Sequence, residues 1–372
     1  MHKKTIAINQ VPIPEGGNFR HDTPTQIIGM LNMPTNIIFQ GQPDWLNHLG
    51  IPGMTANDWK TVQNIRSIYN ELLNEKSPSD VDFQTFDQDF NGILAFKKLE
   101  RLEYRIQKLS FYKWLEDRML MEAAAYLKHG VNIMQFENIA APYQFRNNVL
   151  IEDRLLMHTL INSYRKEYPA VPTGIQILCF AENIALELAI RHKLFYVRGE
   201  SLLFTGHRPE GDTPNSGNQA KFYYIRNLFN GLQEKPNIYP KLYVDLLKKH
   251  TSFPQELQDL QLWLDQVEFT KLEGIIITGS ETGQPVNEKD LEQARKHLNK
   301  VYEKTNQRVP GKGISVPLIT GSGANNDNIA MYTKFANAII VGSYHKQFGY
   351  WEFAIDENRL AKFMNAFRQS LK

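Results

Sequence analysis

The chain has 372 residues, of which 42% are hydrophobic and 22% charged, an ordinary composition for a globular protein with a large core. Its formal net charge is +2, and acidic and basic residues are spread along the chain, so the sequence shows no basic stripe of the kind that nucleic acid binding requires. No run approaches the roughly 18 apolar residues of a membrane-spanning helix, and the start lacks the apolar run of a secretory signal. A cytoplasmic location is predicted, with a mitochondrial one left open by Lys3 and Lys4. The single Cys179 excludes a disulfide within the chain.

Eight short apolar runs recur along the chain, each followed by a turn of small or polar residues. They predict strands at 27–31, 131–138, 171–180, 194–199, 238–247, 274–280, 316–323 and 338–343. The last three read GIIITGS, VPLITGSG and AIIVGS, and such β-branched runs are typical of parallel strands that are buried on both faces.

Segments with helical periodicity separate these strands. They lie at 114–129, 153–167, 182–192, 221–232, 254–271, 288–303 and 325–335. No Gly-x-Gly-x-x-Gly turn follows the first strand, which argues against an open doubly wound sheet. The pattern therefore predicts an α/β fold, a (β/α)8 TIM barrel formed by residues 1–372 as a single domain.

A long, largely helical insertion, residues 35–112, separates the first strand from the first helix. It contains a helical run at 56–74, a polar break KSPSDVD and a Lys-, Glu- and Leu-rich run that ends at Leu109. A loop that follows a barrel strand lies on the catalytic face, so the insertion could be a lid or a surface for a protein partner. A surface elaboration without a catalytic role fits the same pattern.

Two glycine-rich turns follow the seventh and eighth strands. Gly321, Ser322 and Gly323 form the first, and Gly342 and Ser343 form the second. Unobstructed backbone N–H groups in these two loops bind the phosphate of the ligand in many barrels. We call residues 321–323 with 342–343 the phosphate clamp, and it predicts a phosphorylated small molecule as ligand. The competing interpretation is that these glycines are turn residues only.

Seven motifs occur in an order that resembles the BtpA/SgcQ family. They are FENIAAPY (136–143), PTGIQIL (172–178), YVRGE (196–200), VDLLKKH (244–250), IIITGSETGQPVNEKDLEQAR (275–295), VPLITGSGANNDNIAMY (316–332) and AIIVGSYHKQFGYWEFAIDENRLAKF (338–363). The resemblance runs over 26–367, interrupted by the insertion. It implies a TIM barrel of the ribulose-phosphate-binding type. The resemblance also implies either a role in photosystem I biogenesis, with which cyanobacterial members are associated, or a nucleosidase-like or sugar-phosphate enzyme, since other members occur with sugar-metabolism genes; it implies no single reaction.

The chain departs from the family pattern at several polar positions. Asn32 stands where the family usually has His, and Gln176, Glu200 and Leu247 also differ from the family residues. These departures imply a changed substrate or a lost activity. Four family positions are retained: Arg198, Asp245, Lys249 and His250.

Glu137 ends the second strand and should face the barrel mouth, where a neighbouring acid such as Asp245 could raise its pKa. Such a carboxylate pair suits general acid and base catalysis at a glycosidic or enolisable centre, by a hydrolase, lyase or isomerase. A buried salt bridge from Glu137 to Arg198 or Lys249 is the structural alternative. Lys249 could form a Schiff base and His250 could relay protons, but solvated lysines and a structural histidine are simpler interpretations.

The remaining predictions concern ligands and partners. Substrate binding is assigned to Asn138, Arg198, Thr278, Gly279 and Ser280 together with the phosphate clamp. The scattered histidines predict no metal site, although Glu137 and Asp245 could hold Mg²⁺ beside a substrate phosphate. The aromatic residues at 344, 348, 350, 351 and 353 are predicted to pack under the last helix. An enzyme acting on a phosphorylated sugar or nucleoside is the favoured function, with a non-catalytic assembly factor as the alternative, and either could form a homo-oligomer.

Overall fold

The computed structural model describes most of the barrel and part of the insertion. The described residues are 25–33, 35, 52–74, 102–138, 149–178, 180–200, 202–208, 211–212, 218–231, 240–280, 283–311, 313–351 and 353–372. The predictions for Cys179, for the KSPSDVD break and for most of 35–51 lie outside them.

Eight parallel strands close into a barrel, which confirms the predicted fold. They are β1 (Gln26–Met33), β2 (Ile133–Asn138), β3 (Thr173–Gln176), β4 (Tyr196–Gly199), β5 (Lys241–Leu246), β6 (Ile275–Ile277), β7 (Leu318–Thr320) and β8 (Ala338–Val341). β1 closes the barrel by pairing in parallel with both β2 and β8. A short antiparallel hairpin of His207–Arg208 with Gly211–Asp212 follows β4.

Helices alternate with the strands around the barrel. Those of the described residues are α1 (Ala56–Asn74), α2 (Glu103–Ile106), α3 (Tyr112–Lys128), α4 (Ile151–Glu167), α5 (Glu182–Arg191), α6 (Asn218–Gly231), α7 (Leu260–Thr270), α8 (Glu288–Arg308), α9 (Ile329–Phe335) and α10 (Glu357–Ser370). α7 begins later than the sequence predicts because Pro254 starts a separate 3-10 turn and the Asp259 carboxylate caps the helix by accepting from the Gln261 N–H at 2.9 Å. α9 is shortened by a turn in which the Asn325 side chain accepts from the backbone N–H of Asn328 at 3.1 Å.

The barrel interior is filled by alternate side chains of the strands, because successive residues of a strand point to opposite faces. These inward residues form a core separate from the one between strands and helices: Ile28, Met30, Ile133, Tyr196, Tyr243, Ile276, Ile319, Ala338 and Ile340. Two of them are large, and the rings of Tyr196 and Tyr243 stack with centroids 4.8 Å apart. Gly174 and Gly274 leave the room, since a Cβ on either would lie 2.2 or 2.3 Å from a tyrosine ring.

The same alternation positions the polar residues above this core. Ile133 is inward, so Gln135 and Glu137 are inward too, and Arg198 and Asp245 follow inward tyrosines two residues earlier. The alternation therefore places charged side chains at the carboxyl ends of the strands, where TIM barrels have their active sites.

The described part of the insertion packs on the outside of the barrel against α4. Arg66 of α1 forms an ion pair with Glu152, and Glu103 of α2 accepts hydrogen bonds from His158 at 2.7 Å and from Asn162 at 3.1 Å. These contacts keep the first half of α4 buried on all sides.

Candidate active site

A cavity of about 410 Å³ lies at the carboxyl ends of the barrel strands. It brings together nine of the residues that the sequence singles out: Glu137, Arg198, Lys249, His250, Gly321, Ser322, Gly323, Gly342 and Ser343. These residues come from β2, β4 and the loops after β5, β7 and β8. Separate strand ends therefore converge on one space, although the nine positions span 137 to 343 in the sequence.

A buried ion cluster of Arg198, Asp245, Lys248 and Glu200 supports one wall of this cavity. The Arg198 guanidinium donates to both oxygens of Asp245 at 3.0 to 3.2 Å. The Lys248 ammonium lies 2.7 Å from Asp245 Oδ2 and 3.3 Å from Glu200 Oε1. All four side chains are at most 5% exposed, and buried charges are stable only when they are paired in this way.

Asp245 is committed to this ion cluster. Burial alone would raise its pKa, but the charges and hydrogen bonds of Arg198 and Lys248 outweigh desolvation and hold the pKa below its ordinary value. The carboxylate lies outside the cavity lining and accepts from two cations, and its roles as acid or base with Glu137 and as an Mg²⁺ ligand stay predictions.

The carboxylate of Glu137 has different surroundings from that of Asp245. Its carboxylate lines the cavity and forms no hydrogen bond or ion pair with the residues that the structure describes. The expected salt bridge to Arg198 or Lys249 is absent, because Arg198 is directed to Asp245 instead. Burial raises the pKa of Glu137, and the positive charges of Arg198, Lys249 and Lys248 offset only part of that rise. A carboxyl group with a raised pKa and a free lone pair is suited to proton transfer.

Lys248 and Lys249 are adjacent in sequence but have different surroundings. Both line the cavity, but Lys248 is paired within the ion cluster, whereas Lys249 has no ion pair among the described residues. Burial, with the charges of Lys248 and Arg198, lowers the pKa of Lys249 to about 8. The loop that carries them is strained, since Leu247 and His250 have φ of 47° and 59°. The interpretation of both lysines as solvated surface residues was wrong.

The phosphate clamp also lines this cavity, together with a cation that the sequence did not indicate. Arg359 of α10 lines the cavity beside Gly323, Gly342 and Ser343. Its guanidinium lies over the Tyr344 ring, 5.1 Å from the centroid, and forms no hydrogen bond or ion pair with any described side chain. An anion bound in the cavity could therefore accept hydrogen bonds from the guanidinium of Arg359 and from the backbone N–H groups of the two glycine-rich loops.

Gly323 and Gly279 have a packing role as well. A Cβ on either would lie 2.2 Å from the carbonyl oxygen of Gln284, so the loops after β6 and β7 interlock around one stretch of backbone. The Ser322 hydroxyl also donates to the Gln284 carbonyl at 3.0 Å. The packing of the two loops therefore requires glycine at these two positions of the ITGSETG and LITGSG motifs, independently of any ligand that the phosphate clamp binds.

We predict that Gly323→Ala is markedly destabilising. The alanine would adopt a φ of +66°, which costs about 1 to 2 kcal/mol, and would clash with backbone, which adds about 2 kcal/mol. Gly283→Ala is the matched control, because Gly283 has a φ of +83° and nothing within 4 Å of the added Cβ. Urea unfolding should show the Gly323 variant less stable than the control by about 2 kcal/mol. Equal stabilities would contradict the interlocking of the loops.

Five predicted site residues lie outside the cavity lining: Asn138, Asp245, Thr278, Gly279 and Ser280. Asn138 braces the loop after β3, since its side-chain oxygen accepts from the Leu178 N–H at 2.6 Å and its amide donates to the Leu178 carbonyl at 3.2 Å. Ser280 borders a neighbouring depression next to the loop after β5. The roles assigned to these residues stay predictions.

Several cavity residues were missed or misjudged from the sequence. Lys248 and Glu200 were assigned no site role because their pairing in the ion cluster depends on the fold. Asn32 lines the cavity with a buried side-chain oxygen that has no partner among the described residues. The prediction that the aromatic residues pack under the last helix was wrong for Phe348 and Tyr350, which are 76% and 60% exposed. Trp351 and Tyr344 line the cavity.

Two absences apply to the residues that the structure describes. No group of three or more His, Cys, Asp or Glu side chains among them is arranged to hold a metal ion. No helix among them combines the length and the apolar character that crossing a membrane requires. The cellular location stays a prediction.

Solved structures similar to this barrel include two enzymes. One is thiamine phosphate pyrophosphorylase from Pyrococcus furiosus, with 12% sequence identity and a TM-score of 0.41 over 68% of this chain and 91% of that one. The other is KGPDC from Streptococcus mutans, with 12% identity and a TM-score of 0.40 over 67% of this chain and 90% of that one.

Comparison of sequences identifies the family of this chain, which the structural similarities do not. The photosystem I biogenesis protein BtpA of Synechocystis is 38% identical over 294 residues, which cover 78% of this chain and 92% of that protein. An uncharacterised mitochondrial protein of Caenorhabditis elegans is 28% identical over 254 residues, covering 65% of this chain and 80% of the relative. The model of the BtpA family matches residues 106–369, from α2 through nearly all of α10. The chain therefore belongs to the BtpA family.

Proposed function

We propose that this protein is an enzyme that acts on a phosphorylated sugar or nucleoside, with general acid and base catalysis by Glu137. The observation that carries the proposal is that one cavity is lined both by anion-binding groups and by proton-transferring groups. Arg359 and the phosphate clamp are the first kind, and Glu137 and Lys249 are the second. A ligand held by its phosphate would present the rest of its atoms to the proton-transferring groups.

The charge distribution supports this proposal. Arg198 and Lys248 are neutralised by Asp245 and Glu200, which leaves Lys249 and Arg359 as cavity cations without an ion pair among the described residues. A dianionic phosphate would be attracted to that excess of positive charge. Burial raises the pKa of Glu137 above that of an exposed glutamate, which brings it closer to the range in which a carboxyl group acts as acid or base.

The test is a thermal-shift comparison of ribose 5-phosphate, nucleoside monophosphates and inorganic phosphate with their dephosphorylated counterparts. A ligand at about 100 times its dissociation constant adds roughly 2.7 kcal/mol to the stability of the folded state. We expect phosphorylated compounds alone to raise the melting temperature of the wild type. Equal shifts with ribose and ribose 5-phosphate, or none with any compound, would contradict the proposal.

Arg359→Gln should weaken phosphate binding selectively. Loss of charged hydrogen bonds costs about 1.5 to 3 kcal/mol, or roughly 10- to 100-fold in affinity. Arg368→Gln is the control, because Arg368 lies on the same helix but contacts Asn365 and the His129 carbonyl outside the cavity. Titration calorimetry should show weaker binding for the Arg359 variant only; equal affinities of both variants would remove Arg359 from the site.

A second candidate function, a non-catalytic assembly factor, is favoured by the 38% identity to a protein named for photosystem I biogenesis. The exposed face of α1, with Lys60, Gln63 and Glu71, is then the contact surface of the insertion. Removal of the whole insertion would also expose α4, so charge reversal at Lys60 and Glu71 is the cleaner test. Loss of partner recovery from cells of the source organism, with an unchanged melting temperature, supports this role; unchanged recovery rejects it.

A further inference from the structure

The two adjacent lysines after β5 differ in their partners. Lys248 pairs with the carboxylates of Asp245 and Glu200, whereas the amine of Lys249 lines the cavity without a hydrogen-bond acceptor among the described residues. The carboxylates of Asp245 and Glu200 are already occupied by Arg198 and Lys248. Positive φ at Leu247 and His250 flanks the two lysines, and this strained stretch of backbone holds them in their different surroundings.

The surroundings favour the neutral amine of Lys249. Desolvation disfavours its charged form, and the fixed charges of Lys248 and Arg198 act in the same direction, so its pKa is lowered to about 8. A desolvated lysine beside another cationic group is the environment in which amines become nucleophiles. A lysine that served only as an anion-binding charge would gain nothing from a lowered pKa.

A proton-transferring group faces the same space. Glu137 lines the cavity with Lys249 and interacts electrostatically with it, and its carboxyl has no partner among the described residues. Imine formation needs such a group, because the oxygen that leaves the carbonyl carbon must first be protonated.

We propose that Lys249 forms an imine with the carbonyl carbon of an open-chain sugar phosphate whose phosphate is bound at Arg359 and the phosphate clamp. This inference rests on the proposed function and narrows its substrate to compounds that carry both a phosphate and an aldehyde or ketone.

The step balances without any co-reactant. The lone pair of Lys249 Nζ attacks the carbonyl carbon, and the carbonyl oxygen takes a proton from Glu137 to give a carbinolamine. The nitrogen returns a proton to Glu137, which protonates the hydroxyl, and water leaves as the C=N bond forms. One amine and one carbonyl become one imine and one water, with no change in oxidation state.

The experiment is reductive trapping of the full-length protein with sodium cyanoborohydride. Ribose 5-phosphate, dihydroxyacetone phosphate, ribose and ribitol 5-phosphate are each incubated briefly with the protein, which is then digested and mapped by mass spectrometry. Trapping adds the ligand mass less one oxygen atom. Lys241 is the internal control, because it is half-buried with a lowered pKa but lies at the start of β5, at the opposite end of the barrel strand.

We expect the carbonyl-bearing phosphates to modify Lys249 at least tenfold more than Lys241, ribose to modify both weakly, and Lys249→Arg to lose the modification. Modification spread evenly over lysines, or unchanged in Lys249→Arg, overturns the imine. If ribitol 5-phosphate raises the melting temperature but no carbonyl compound modifies Lys249, the imine fails while the phosphate site stands. If no phosphorylated compound binds at all, the imine and the proposed function fail together.

Discussion

Glu137→Gln is expected to lower turnover of a phosphorylated substrate by about 10²- to 10⁴-fold, the usual contribution of a general acid or base. Glutamine keeps the size and polarity of the side chain but cannot exchange a proton. Binding should be retained or strengthened, because the change removes a negative charge from a cavity that contains Lys249 and Arg359. The kinetic signature is a loss in kcat without a rise in KM.

The same substitution should not destabilise the protein. Burial raises the pKa of Glu137 in the folded state, so its ionised form is disfavoured there relative to the unfolded chain. The stability of the wild type should therefore decline as pH rises from the ordinary glutamate pKa of about 4.3 through the raised value. Glutamine removes this penalty, and the variant should melt at or above the wild-type temperature at neutral pH.

Glu292→Gln is the control, since Glu292 lies on α8 and, among the described residues, pairs only with the exposed Lys296. Steady-state kinetics and melting curves of both variants, with the compound that stabilises the wild type, separate catalysis from folding. Full turnover by Glu137→Gln would remove Glu137 from the mechanism, and a large fall in its melting temperature would assign it a structural role.

Asp245→Asn is expected to be the most destabilising single change in the cavity wall, by about 3 to 5 kcal/mol. Both oxygens of Asp245 accept from Arg198, and Oδ2 also accepts from Lys248. Asparagine offers one oxygen and a donor where two cations need acceptors, so the buried Arg198 loses its carboxylate and Lys248 keeps only Glu200. The expected loss of stability therefore comes from the cations that lose their acceptor rather than from the burial of the Asp245 carboxylate.

The pH dependence of this effect has a definite sign. The pKa of Asp245 is lowered in the folded protein, so the stability that its carboxylate contributes is present above the ordinary aspartate pKa of about 3.9 and is lost as pH falls through the lower folded value. The difference between wild type and Asp245→Asn in urea unfolding should thus be constant near neutral pH and shrink below about pH 4. Asp117→Asn breaks the exposed Lys113–Asp117 pair and should cost less than about 1 kcal/mol. Similar losses in both variants would show that the ion cluster adds nothing specific to stability.

The barrel itself followed from sequence periodicity. Strand β8 was predicted at its first residue, Ala338, and α1 at both ends, because β-branched runs and helical spacing depend on neighbouring residues alone. The start of α7 was missed, since the cap at Asp259 competes with the helical pattern that precedes it.

The candidate site could be predicted only in part, because strand alternation can be read from the sequence whereas the partners of a buried charge depend on the fold. Glu137 could be placed at the barrel mouth from strand alternation. The partners of Asp245 could not be predicted, because Arg198 reaches it from the neighbouring strand β4 and Lys248 from a strained loop, and neither geometry is visible in the sequence. Arg359 lies within the last family motif (338–363), but nothing in that motif marks it as a ligand, and it lines the cavity because the loop after β8 folds back.

The most direct test of the central claim is the response of backbone amides to phosphate, read by ¹H–¹⁵N NMR of the isotope-labelled protein. On titration with ribose 5-phosphate, the N–H signals of Gly323, Ala324, Gly342 and Ser343 should shift, and ribose should leave them in place. Arg359→Gln should reduce the shifts at each concentration and Arg368→Gln should not. Signals that stay unchanged at these amides while ribose 5-phosphate binds elsewhere would contradict the account.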